Sequence, residues 1–462
     1  MENKRPSSSS RRDFLKKGAA VASGVVAGFV PRSGAGARPS APPPGGVLGA
    51  NDRVTVGLIG LGWQGHDGHL ATIVEHGTEL NLAVAAVCDP WTVRLDRART
   101  TLSQSEKGIS LAEKDAYADY RRILDRDDID AVFIATPDHW HARIAIDAMQ
   151  AGKHVYCEKP LTRYLGEAFE LHDAVERTGR VFQMGSQYCS EGKWHKAAEL
   201  ISAGKIGKLV LAQDSYMRNV PDGDWNAPID PLLTPETLDW DLWVGHVPNR
   251  PFSPDDYFRW KKYHPYSAGI ISNLMTHRIV PLMLATGTPE FPTQVACMGS
   301  NEITPDRDVP DNTQLMAQFP GGFAIVSIGS TVNEIGLPPL IRGHEGTIYF
   351  GGNSVELRPE RPFADLADVE LHENVLPEVS VRNHVANWLD VIRNGGTPTG
   401  NIDLSLKTQT VVCLAEMSQR LGEMMHFDAA TRTVKTGSGR AIEPITYGTL
   451  DEVGLEEAQS SR

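Results

Sequence analysis

The residues most able to carry chemistry are a lysine that ends a strand-like run and three glycines that form a turn well before it. Lys159 stands in a Glu-Lys-Pro sequence after the apolar run 154–157, and the turn has the pattern Gly60-x-Gly62-x-x-Gly65. Such a turn can seat the pyrophosphate of a dinucleotide. A lysine delivered from a later strand of the same sheet can reach the nicotinamide, where hydride transfer occurs. The first motif predicts a cofactor, and the second predicts proton chemistry beside it.

The glycine turn has the flanking sequence that a phosphate-binding turn requires. An apolar run at 54–59 predicts a strand, and apolar residues at helical spacing from 70 to 74 predict the helix that follows. Gly60 permits the tight turn, Gly62 lets the backbone approach the pyrophosphate, and Gly65 lets the helix pack against the strand. The phosphates then face the positive end of the helix.

A carboxylate at the end of the second predicted strand indicates which dinucleotide is bound. The strand spans 82–88 and is followed by Asp89. This side chain can accept hydrogen bonds from the ribose hydroxyls and repel a 2′-phosphate, so the sequence favours NAD over NADP. Arg94 is close enough in sequence to keep NADP open. The alternative for Asp89 is a turn residue before Pro90.

Further alternation of strands and helices extends this pattern to residue 158. A helix is predicted near 91–103, a strand at 131–135, a helix from about 139 to 151, and a strand that ends at 158. Such alternation predicts a parallel, doubly wound sheet, which binds ligands at the carboxyl ends of its strands. The residues predicted to contact the cofactor are Gly60, Gly62, Trp63, Gln64, Gly65, Asp89, Arg94, Thr136, Pro137, His141, Glu158 and Lys159.

Polar residues just after the strand at 131–135 also have a purely structural interpretation. Asp138 is suited to cap the helix that follows it. His139 and His141 are two residues apart at a helix start, so they do not share a face, and no carboxylate completes a ligand set. The sequence therefore predicts no metal site here.

The composition limits the class of protein. A chain of 462 residues with 41% hydrophobic and 22% charged residues fits two soluble globular domains. A net charge of −13 argues against nucleic acid and anionic membranes as partners. Five cysteines, far apart in mostly apolar runs, are expected to be buried, with one incidental disulfide left open. They are Cys88, Cys157, Cys189, Cys297 and Cys413.

The first fifty residues differ in character from the rest. The sequence Ser-Arg-Arg-Asp-Phe-Leu-Lys-Lys at 10–17 precedes a mild apolar stretch at 18–30 and a run rich in Pro, Gly and Ala. This is the pattern of a twin-arginine export signal. The apolar stretch is too short to cross a bilayer as a helix. We therefore predict that residues 1–50 are a signal and linker recognised by the twin-arginine translocase, and that the protein is periplasmic.

Several motifs in one order resemble those of a known family. Gly60-Leu61-Gly62, the sequence Ala-Thr-Pro-Asp-His-Trp-His at 135–141 and Glu-Lys-Pro-Leu at 158–161 resemble the Gfo/Idh/MocA oxidoreductases, the family of glucose-fructose oxidoreductase and inositol dehydrogenase. The likeness continues over nearly the whole chain after the signal, and part of it is similar to a large branch of exported members. The further matching segments are 184–187, 201–207, 238–245 and 259–261.

The resemblance implies an α/β fold with two domains. An N-terminal Rossmann domain is followed by an α+β domain built on an open, mostly antiparallel sheet, whose bare face usually makes oligomer contacts. We expect an NAD-binding domain at 51–187, a substrate-binding and oligomerisation domain at 188–448 and an acidic tail at 449–462, in a homo-oligomer (dimer or tetramer). A long amphipathic stretch at about 384–421 is expected to pack as core helices.

The resemblance also implies the residues of the reaction. In the family, the lysine matching Lys159 lies beside the nicotinamide and the substrate hydroxyl, and a histidine matching His277 completes the pair. Partial burial near the positive nicotinamide should lower the pKa of Lys159. Asn273 stands where the family commonly has aspartate, and an amide can orient a hydroxyl but cannot accept its proton. The predicted catalytic residues are Lys159, His277 and Asn273, and the predicted substrate contacts are Trp260, Lys261, Tyr266 and His277.

Three functions remain open at this point. The first is an NAD-dependent oxidoreductase acting on a sugar, polyol or glycoside, with NAD tightly bound because an exported enzyme has no soluble pool to reoxidise NADH. The second is an NAD-dependent glycosidase-like enzyme that oxidises its substrate transiently, eliminates the aglycone and reduces the product again. The third is a non-catalytic sugar-binding protein. The structural alternatives for the two candidate residues are that Lys159 pairs with Glu158 or a phosphate and that His277 is a capped helix residue.

Overall fold

The computed structural model describes residues 53–105, 111–248, 250–365 and 368–442. The predicted signal and linker at 1–50 and the acidic tail at 449–462 lie outside these residues. Within the described part of the chain, no helix is both long enough and apolar enough to cross a membrane.

The first domain is built on a six-stranded parallel sheet with the strand order β3-β2-β1-β4-β5-β6. The strand order changes direction between β1 and β4, because β2 and β3 lie on one side of β1 and β4, β5 and β6 lie on the other. A crevice therefore opens there at the carboxyl ends of the strands. The predicted doubly wound sheet is confirmed. The strands are β1 (Val54–Ile59), β2 (Leu82–Cys88), β3 (Ala116–Tyr117), β4 (Ala131–Ile134), β5 (His154–Glu158) and β6 (Phe182–Gly185).

Helices connect these strands and cover both faces of the sheet. The segment after the glycine turn begins as a π-helix, Gln64–Leu70, before it becomes α-helical, which the sequence pattern did not predict. The helices predicted near 91–103 and 139–151 are present with small shifts at their ends. The helices are α1 (Ala71–His76), α2 (Thr92–Gln104), α3 (Arg121–Leu124), α4 (His141–Gln150) and α5 (Leu165–Thr178).

The second part of the chain forms a large, open sheet in which β7 and β10 are parallel and the other pairs are antiparallel. The predicted open, mostly antiparallel sheet is confirmed. Its strands are β7 (Leu209–Asn219), β8 (Gln294–Ser300), β9 (Asn312–Gln318), β10 (Ala324–Ser330), β11 (Val332–Asn333), β12 (Leu340–Gly343), β13 (Gly346–Phe350), β14 (Val355–Pro359), β15 (Glu370–His372), β16 (Met425–Asp428), β17 (Thr433–Thr436) and β18 (Ala441–Ile442).

Helices cover one face of this sheet and join its core to that of the first domain. Leu315, Ala317 and Ile325 on the covered face are buried together with apolar residues of α5 and β6. The helices are α6 (Gly192–Ser202), α7 (Trp240–Val244), α8 (Pro254–Arg259), α9 (Ile270–Asn273), α10 (Thr276–Ala285), α11 (Val381–Asn394) and α12 (Ile402–Leu421). All five cysteines are buried and free, so their predicted burial is confirmed and the possible disulfide is absent.

Candidate active site

A cavity of about 850 Å³ lies at the carboxyl ends of β1, β2, β4 and β5, between the parallel sheet and residues of the second domain. We call its two sides the turn side and the lysine side. The turn side is lined by Gly60, Gly62, Trp63, Gln64, Asp89, Arg94, Thr136, Pro137 and Glu158. The lysine side is lined by Asp138, Lys159, Tyr188, Tyr216, Arg218, Asp224, Trp225, Trp260, Lys261, Asn273 and His277.

The glycine turn has the close backbone packing that a dinucleotide-binding turn needs. Gly60 has a φ of +89°, and a Cβ there would lie 2.7 Å from the Ala135 carbonyl carbon. A Cβ on Gly65 would lie 1.9 Å from the Gly60 oxygen, so Gly65 acts through helix packing. Gly65 does not itself line the cavity. Gly62 lines the cavity, and the atoms nearest to a Cβ built there belong to the Arg94 guanidinium, at 3.6–3.7 Å, which fits an anionic pyrophosphate approaching the backbone.

Asp89 lies at the end of β2 with its carboxylate largely committed to the backbone. Its Oδ2 accepts a hydrogen bond from the Leu61 N–H (2.8 Å), and its Oδ1 accepts one from the Trp91 N–H (3.0 Å). The Arg94 guanidinium lies 3.5 Å from Oδ2 and stacks over the Tyr257 ring at 4.8 Å. Asp89 therefore both shapes the turn and lines the cavity, where the remaining lone pairs of a carboxylate can receive ribose hydroxyls.

Glu158 is held by the glycine-turn helix and not by the neighbouring lysine. Its Oε1 accepts hydrogen bonds from Gln64 Nε2 (2.9 Å) and His69 Nε2 (2.8 Å). Burial alone would raise the pKa of this carboxyl, but the hydrogen bond and charge of His69 hold it below its usual value. Glu158 is therefore a buried anion that fixes the segment leading into Lys159.

Lys159 extends from the end of β5 to the second domain. Its ammonium donates to the backbone oxygen of Asn273 (3.0 Å) and to the Asn273 side-chain oxygen (3.3 Å). Burial lowers the pKa of Lys159 below its usual value. A lysine with a lowered pKa, fixed at the cavity wall, is suited to move a proton near neutral pH.

Behind Lys159, a buried carboxyl completes a chain of polar contacts. The Asn273 amide donates to Asp138 Oδ2 (3.1 Å) and to Ser267 Oγ (2.8 Å). Asp138 is 1% exposed, and its Oδ1 has no hydrogen-bond partner among the described residues. Burial raises the pKa of Asp138. Its carboxylate makes no capping hydrogen bond to the helix after it, so the interpretation of Asp138 as a helix cap is wrong.

His277 lies on α10 with its ring against the lysine side of the cavity. Its ring centroid is 5.5 Å from that of Tyr188 and 6.1 Å from that of Tyr216. Burial, and after it the nearby Lys159 ammonium, lowers the pKa of His277 well below its usual value. Its Nδ1 has no hydrogen-bond partner within the described part of the chain. His277 is thus a neutral imidazole that can exchange hydrogen bonds with a ligand.

Two of the predicted contacts lie outside the cavity. Tyr266 is fully buried, its hydroxyl donates to Asp256 (2.9 Å), and its ring packs on Trp243. His141 is buried with its ring nitrogens 2.7 Å from the Pro160 oxygen and 3.0 Å from the Thr136 oxygen. Tyr266 is thus a core residue and His141 fixes two loops, and the structure does not bring either of them to the cavity wall.

Several cavity residues were not predicted as site residues. Tyr216 and Arg218 alternate on β7, and Asp224 in the following loop forms an ion pair with Arg218. Their alternation along a strand that leads to the crevice is the signal that could have identified them. Tyr188 follows the last strand of the parallel sheet and gives no such signal. Within the described residues, no group of three or more His, Cys, Asp or Glu is arranged to hold a metal ion.

Comparison with known families gives two matches, one for each half of the chain. Residues 54–186 match the oxidoreductase family with an NAD-binding Rossmann fold, and residues 223–443 match the C-terminal alpha/beta domain of the same oxidoreductase family. Together these matches cover most of the chain.

Curated relatives match part of the chain. A glycosyl hydrolase family 109 protein of Shewanella pealeana is 32% identical over 219 residues, and an alpha-N-acetylgalactosaminidase of Shewanella oneidensis is 31% identical over 218 residues. Each alignment covers 46% of this chain and 46% of the relative. The chain thus spans about half the length of the curated relatives it matches.

Solved structures share the fold at low sequence identity. The aldose-aldose oxidoreductase of Caulobacter crescentus, complexed with glycerol, has a TM-score of 0.61 at 18% identity and covers 81% of this chain and 100% of its own. Levoglucosan dehydrogenase, complexed with NADH and levoglucosan, has a TM-score of 0.60 at 21% identity and covers 83% and 99%. At these identities the likeness concerns the fold alone.

Proposed function

The chain belongs to the Gfo/Idh/MocA oxidoreductase family, and on that premise we propose that it is an NAD-dependent enzyme that oxidises a hydroxyl-bearing carbon of a sugar, polyol or glycoside. The observation that carries this proposal is the position of the Lys159 ammonium. It lines the same cavity as the glycine turn, it is fixed by two hydrogen bonds to Asn273, and burial lowers its pKa.

The turn side of the cavity fits a dinucleotide. Gly60 and Gly62 leave the backbone open to a pyrophosphate, and Asp89 offers a carboxylate to the ribose hydroxyls. When bound, NAD supplies the acceptor for the hydride that leaves the oxidised carbon. The carboxylate of Asp89 favours NAD over NADP, although Arg94 at 3.5 Å from it would tolerate a phosphate. Tight retention of NAD is part of the proposal because the chain is proposed to be exported.

The lysine side supplies the proton chemistry. Neutral Lys159 accepts the proton of the reacting hydroxyl, and its contacts to Asn273 keep the nitrogen aimed at the cavity. Asn273 cannot accept that proton itself. It instead links Lys159 to the Asp138 carboxyl, which offsets the positive charge of the protonated lysine. The neutral His277 ring holds a neighbouring hydroxyl of the substrate.

A second candidate function is supported by the curated relatives. Several are named glycosyl hydrolase family 109 proteins, and one is named an alpha-N-acetylgalactosaminidase. In such a reaction, oxidation of a substrate hydroxyl acidifies the neighbouring C–H, elimination expels the aglycone, water adds, and the carbonyl is reduced again. Lys159 and His277 would act in the first and last of these steps in the same way as in a dehydrogenase.

One experiment separates these functions. Protein purified with its dinucleotide is mixed with a panel of sugars, polyols and aryl glycosides, without added NAD, and reduced nicotinamide and free aglycone are measured. Lasting reduction of nicotinamide supports the dehydrogenase, and aglycone release without lasting reduction supports the glycosidase. Binding of sugars with neither signal would leave only a non-catalytic sugar-binding protein and would reject both enzymatic proposals.

Location and assembly belong to the same proposal. The arginine pair at 11–12 and the apolar stretch after it support export by the twin-arginine translocase to the periplasm. That route carries folded proteins, so NAD acquired in the cytoplasm could travel with the enzyme. Exposed apolar side chains on the uncovered face of the large sheet support a homo-oligomer, a dimer or tetramer.

A further inference from the structure

Within the described part of the chain, Lys261 on the lysine side of the cavity forms no hydrogen bond and no ion pair. It follows α8 in a short 3-10 turn, Trp260–Lys262, and lines the cavity while half-buried. Its nitrogen lies 5.3 Å from the centroid of the Trp260 ring. The next residue differs, because Lys262 is buried and donates to Asp306 (2.6 Å) and Asn226 (2.9 Å).

Neither of the two carboxylates near Lys261 forms an ion pair with it. Asp224 forms its ion pair with Arg218, and Asp138 accepts a hydrogen bond from Asn273 through Oδ2. Both carboxylates attract Lys261, but Lys159 and Arg218 repel it, and burial together with Lys159 lowers the pKa of Lys261 to about 8. A cation that is partly removed from water without a direct counter-ion is costly unless a ligand supplies one.

Charge in the rest of the cavity does not provide that counter-ion. Glu158, the other carboxylate near Lys159, accepts its hydrogen bonds from Gln64 and His69 on the turn side. The lysine side is therefore attractive to an anion, in a chain whose net charge is −13.

The surroundings of Lys261 also indicate what carries the anion. Trp225 and Trp260 also line the cavity and offer flat apolar surfaces to a pyranose ring. Beside such a ring, the Lys261 ammonium binds a carboxylate more strongly than a hydroxyl, because a hydrogen bond between two charged groups is the stronger one.

We propose that Lys261 binds a carboxylate of the substrate, so that the preferred substrate is a uronic acid or a glycoside of a uronic acid. This inference rests on the proposed oxidation of a sugar and names its substrate class.

The test compares matched sugars on the full-length protein loaded with NAD. Methyl galacturonoside is paired with methyl galactoside, and methyl glucuronoside with methyl glucoside. Turnover is followed by reduced nicotinamide or by sugar product, and binding is followed by calorimetry. We expect the better uronate to exceed its neutral partner about 10- to 100-fold in kcat/KM, as for one hydrogen bond between charged groups.

Three variants test whether Lys261 causes the preference for the uronate. Lys261→Met should bring the uronate-to-neutral ratio close to one, mainly by raising KM for the uronate, whereas Lys261→Arg should preserve a preference for the uronate. Lys208→Met, an exposed lysine just before β7, is the matched control and should leave the ratio unchanged. NAD content and circular dichroism of each variant verify that it is folded.

The outcomes separate the two proposals. A neutral sugar preferred by the unaltered protein, or a uronate preference that survives Lys261→Met, overturns the carboxylate site while the oxidoreductase proposal stands. If neither sugar class is turned over, the oxidoreductase proposal fails. Calorimetry then still decides the carboxylate site, since uronate binding must weaken about 10-fold or more in Lys261→Met.

Discussion

At the scale of single residues, the site depends on an amide that joins a lysine to a buried carboxyl. Lys159 donates to Asn273, and Asn273 donates to Asp138. The family that this sequence resembles commonly has an aspartate at the position of Asn273. In this chain the carboxyl belongs to Asp138, which lies behind Asn273 as seen from Lys159. Its charge therefore acts on Lys159 across the neutral Asn273 side chain.

Replacing Asp138 by Asn tests this arrangement. The Asp138 carboxylate raises the pKa of Lys159 against the lowering caused by burial. Its loss should therefore lower the lysine pKa further and move the rising limb of the pH–rate profile down by about one pH unit. Asp125→Asn, at an exposed position after α3, is the control. If the rising limb of the pH–rate profile is unchanged in Asp138→Asn, Asp138 does not act on the pKa of Lys159.

The pH dependence of the unaltered enzyme is a second expectation at this scale. Lys159 must be neutral to accept a proton, so kcat/KM should rise with pH, and the rise should be complete well below 10.5 because burial lowers the pKa. His277 is already neutral in the folded protein, so no limb should appear near its usual value of 6.5. A steady-state pH profile measures both. Activity that falls as pH rises through neutrality would contradict the assignment of Lys159 as the base.

The sequence predicted the residues whose positions follow from a strand end or a tight turn. Lys159 and Asp89 end strands, and Gly60 and Gly62 form the turn between strand and helix, so the fold alone brings them to one crevice. Tyr266 was predicted as a substrate contact, but its hydroxyl donates to Asp256 and its ring packs in the core. The sequence motif does not determine which way this side chain points.

At the scale of secondary-structure elements, the second domain holds the lysine-bearing segment in place. Arg163, four residues after Lys159, donates to both carboxylate oxygens of Glu416 on α12 at 2.6 and 2.7 Å, and both side chains are buried. Burial alone would raise the pKa of Glu416, but the charge of Arg163 holds it below its usual value. This pair ties the end of β5 to the longest helix of the second domain.

Breaking this pair should destabilise the protein strongly. Arg163→Met leaves the Glu416 charge buried without its partner and is expected to cost about 3–5 kcal/mol in the free energy of unfolding. The double variant Arg163→Met/Glu416→Leu should recover part of this loss. Urea denaturation followed by circular dichroism measures both. The partly exposed Lys407–Asp403 pair is the control, because Lys407→Met should cost less than about 1 kcal/mol. An equally small effect of Arg163→Met would contradict the buried pair.

The helices of this region also show where sequence reasoning reached its limit. The amphipathic stretch at 384–421 was predicted as core helices, and it forms α11 and α12 with a break between them. Gly395 and Gly396 take φ values of +78° and +108°, a conformation that ends the first helix. The apolar pattern predicts that these segments pack inward, but only the backbone at the two glycines fixes the change of direction.

At the scale of the whole molecule, the uncovered face of the large sheet is the surface best suited to assembly. Alternate residues of β8 and β9 point away from the core, and Met298 and Met316 there are 71% and 52% exposed. Val210 on β7 is exposed as well. Apolar side chains exposed on neighbouring strands favour burial against another copy of the chain.

Placing charge on this face should dissociate the proposed oligomer. In Met298→Lys/Met316→Lys, two desolvated ammonium groups would oppose association, and light scattering after size exclusion should report a monomer where the unaltered protein is a dimer or tetramer. Leu376→Lys, an exposed apolar position outside these strands, should leave the mass unchanged. If the mass of the double variant is unaltered, the uncovered face of the sheet is not the interface.

The central claim is that Lys159 takes a proton from a sugar hydroxyl beside bound NAD, and a single-turnover measurement tests it most directly. Protein loaded with NAD is mixed rapidly with a substrate identified from the panel, and the absorbance of reduced nicotinamide is followed for the unaltered protein and for Lys159→Met. We predict a rapid rise in the unaltered protein and a rate at least about 100-fold lower in Lys159→Met, with NAD content retained. Equal rates in the two proteins would contradict the account.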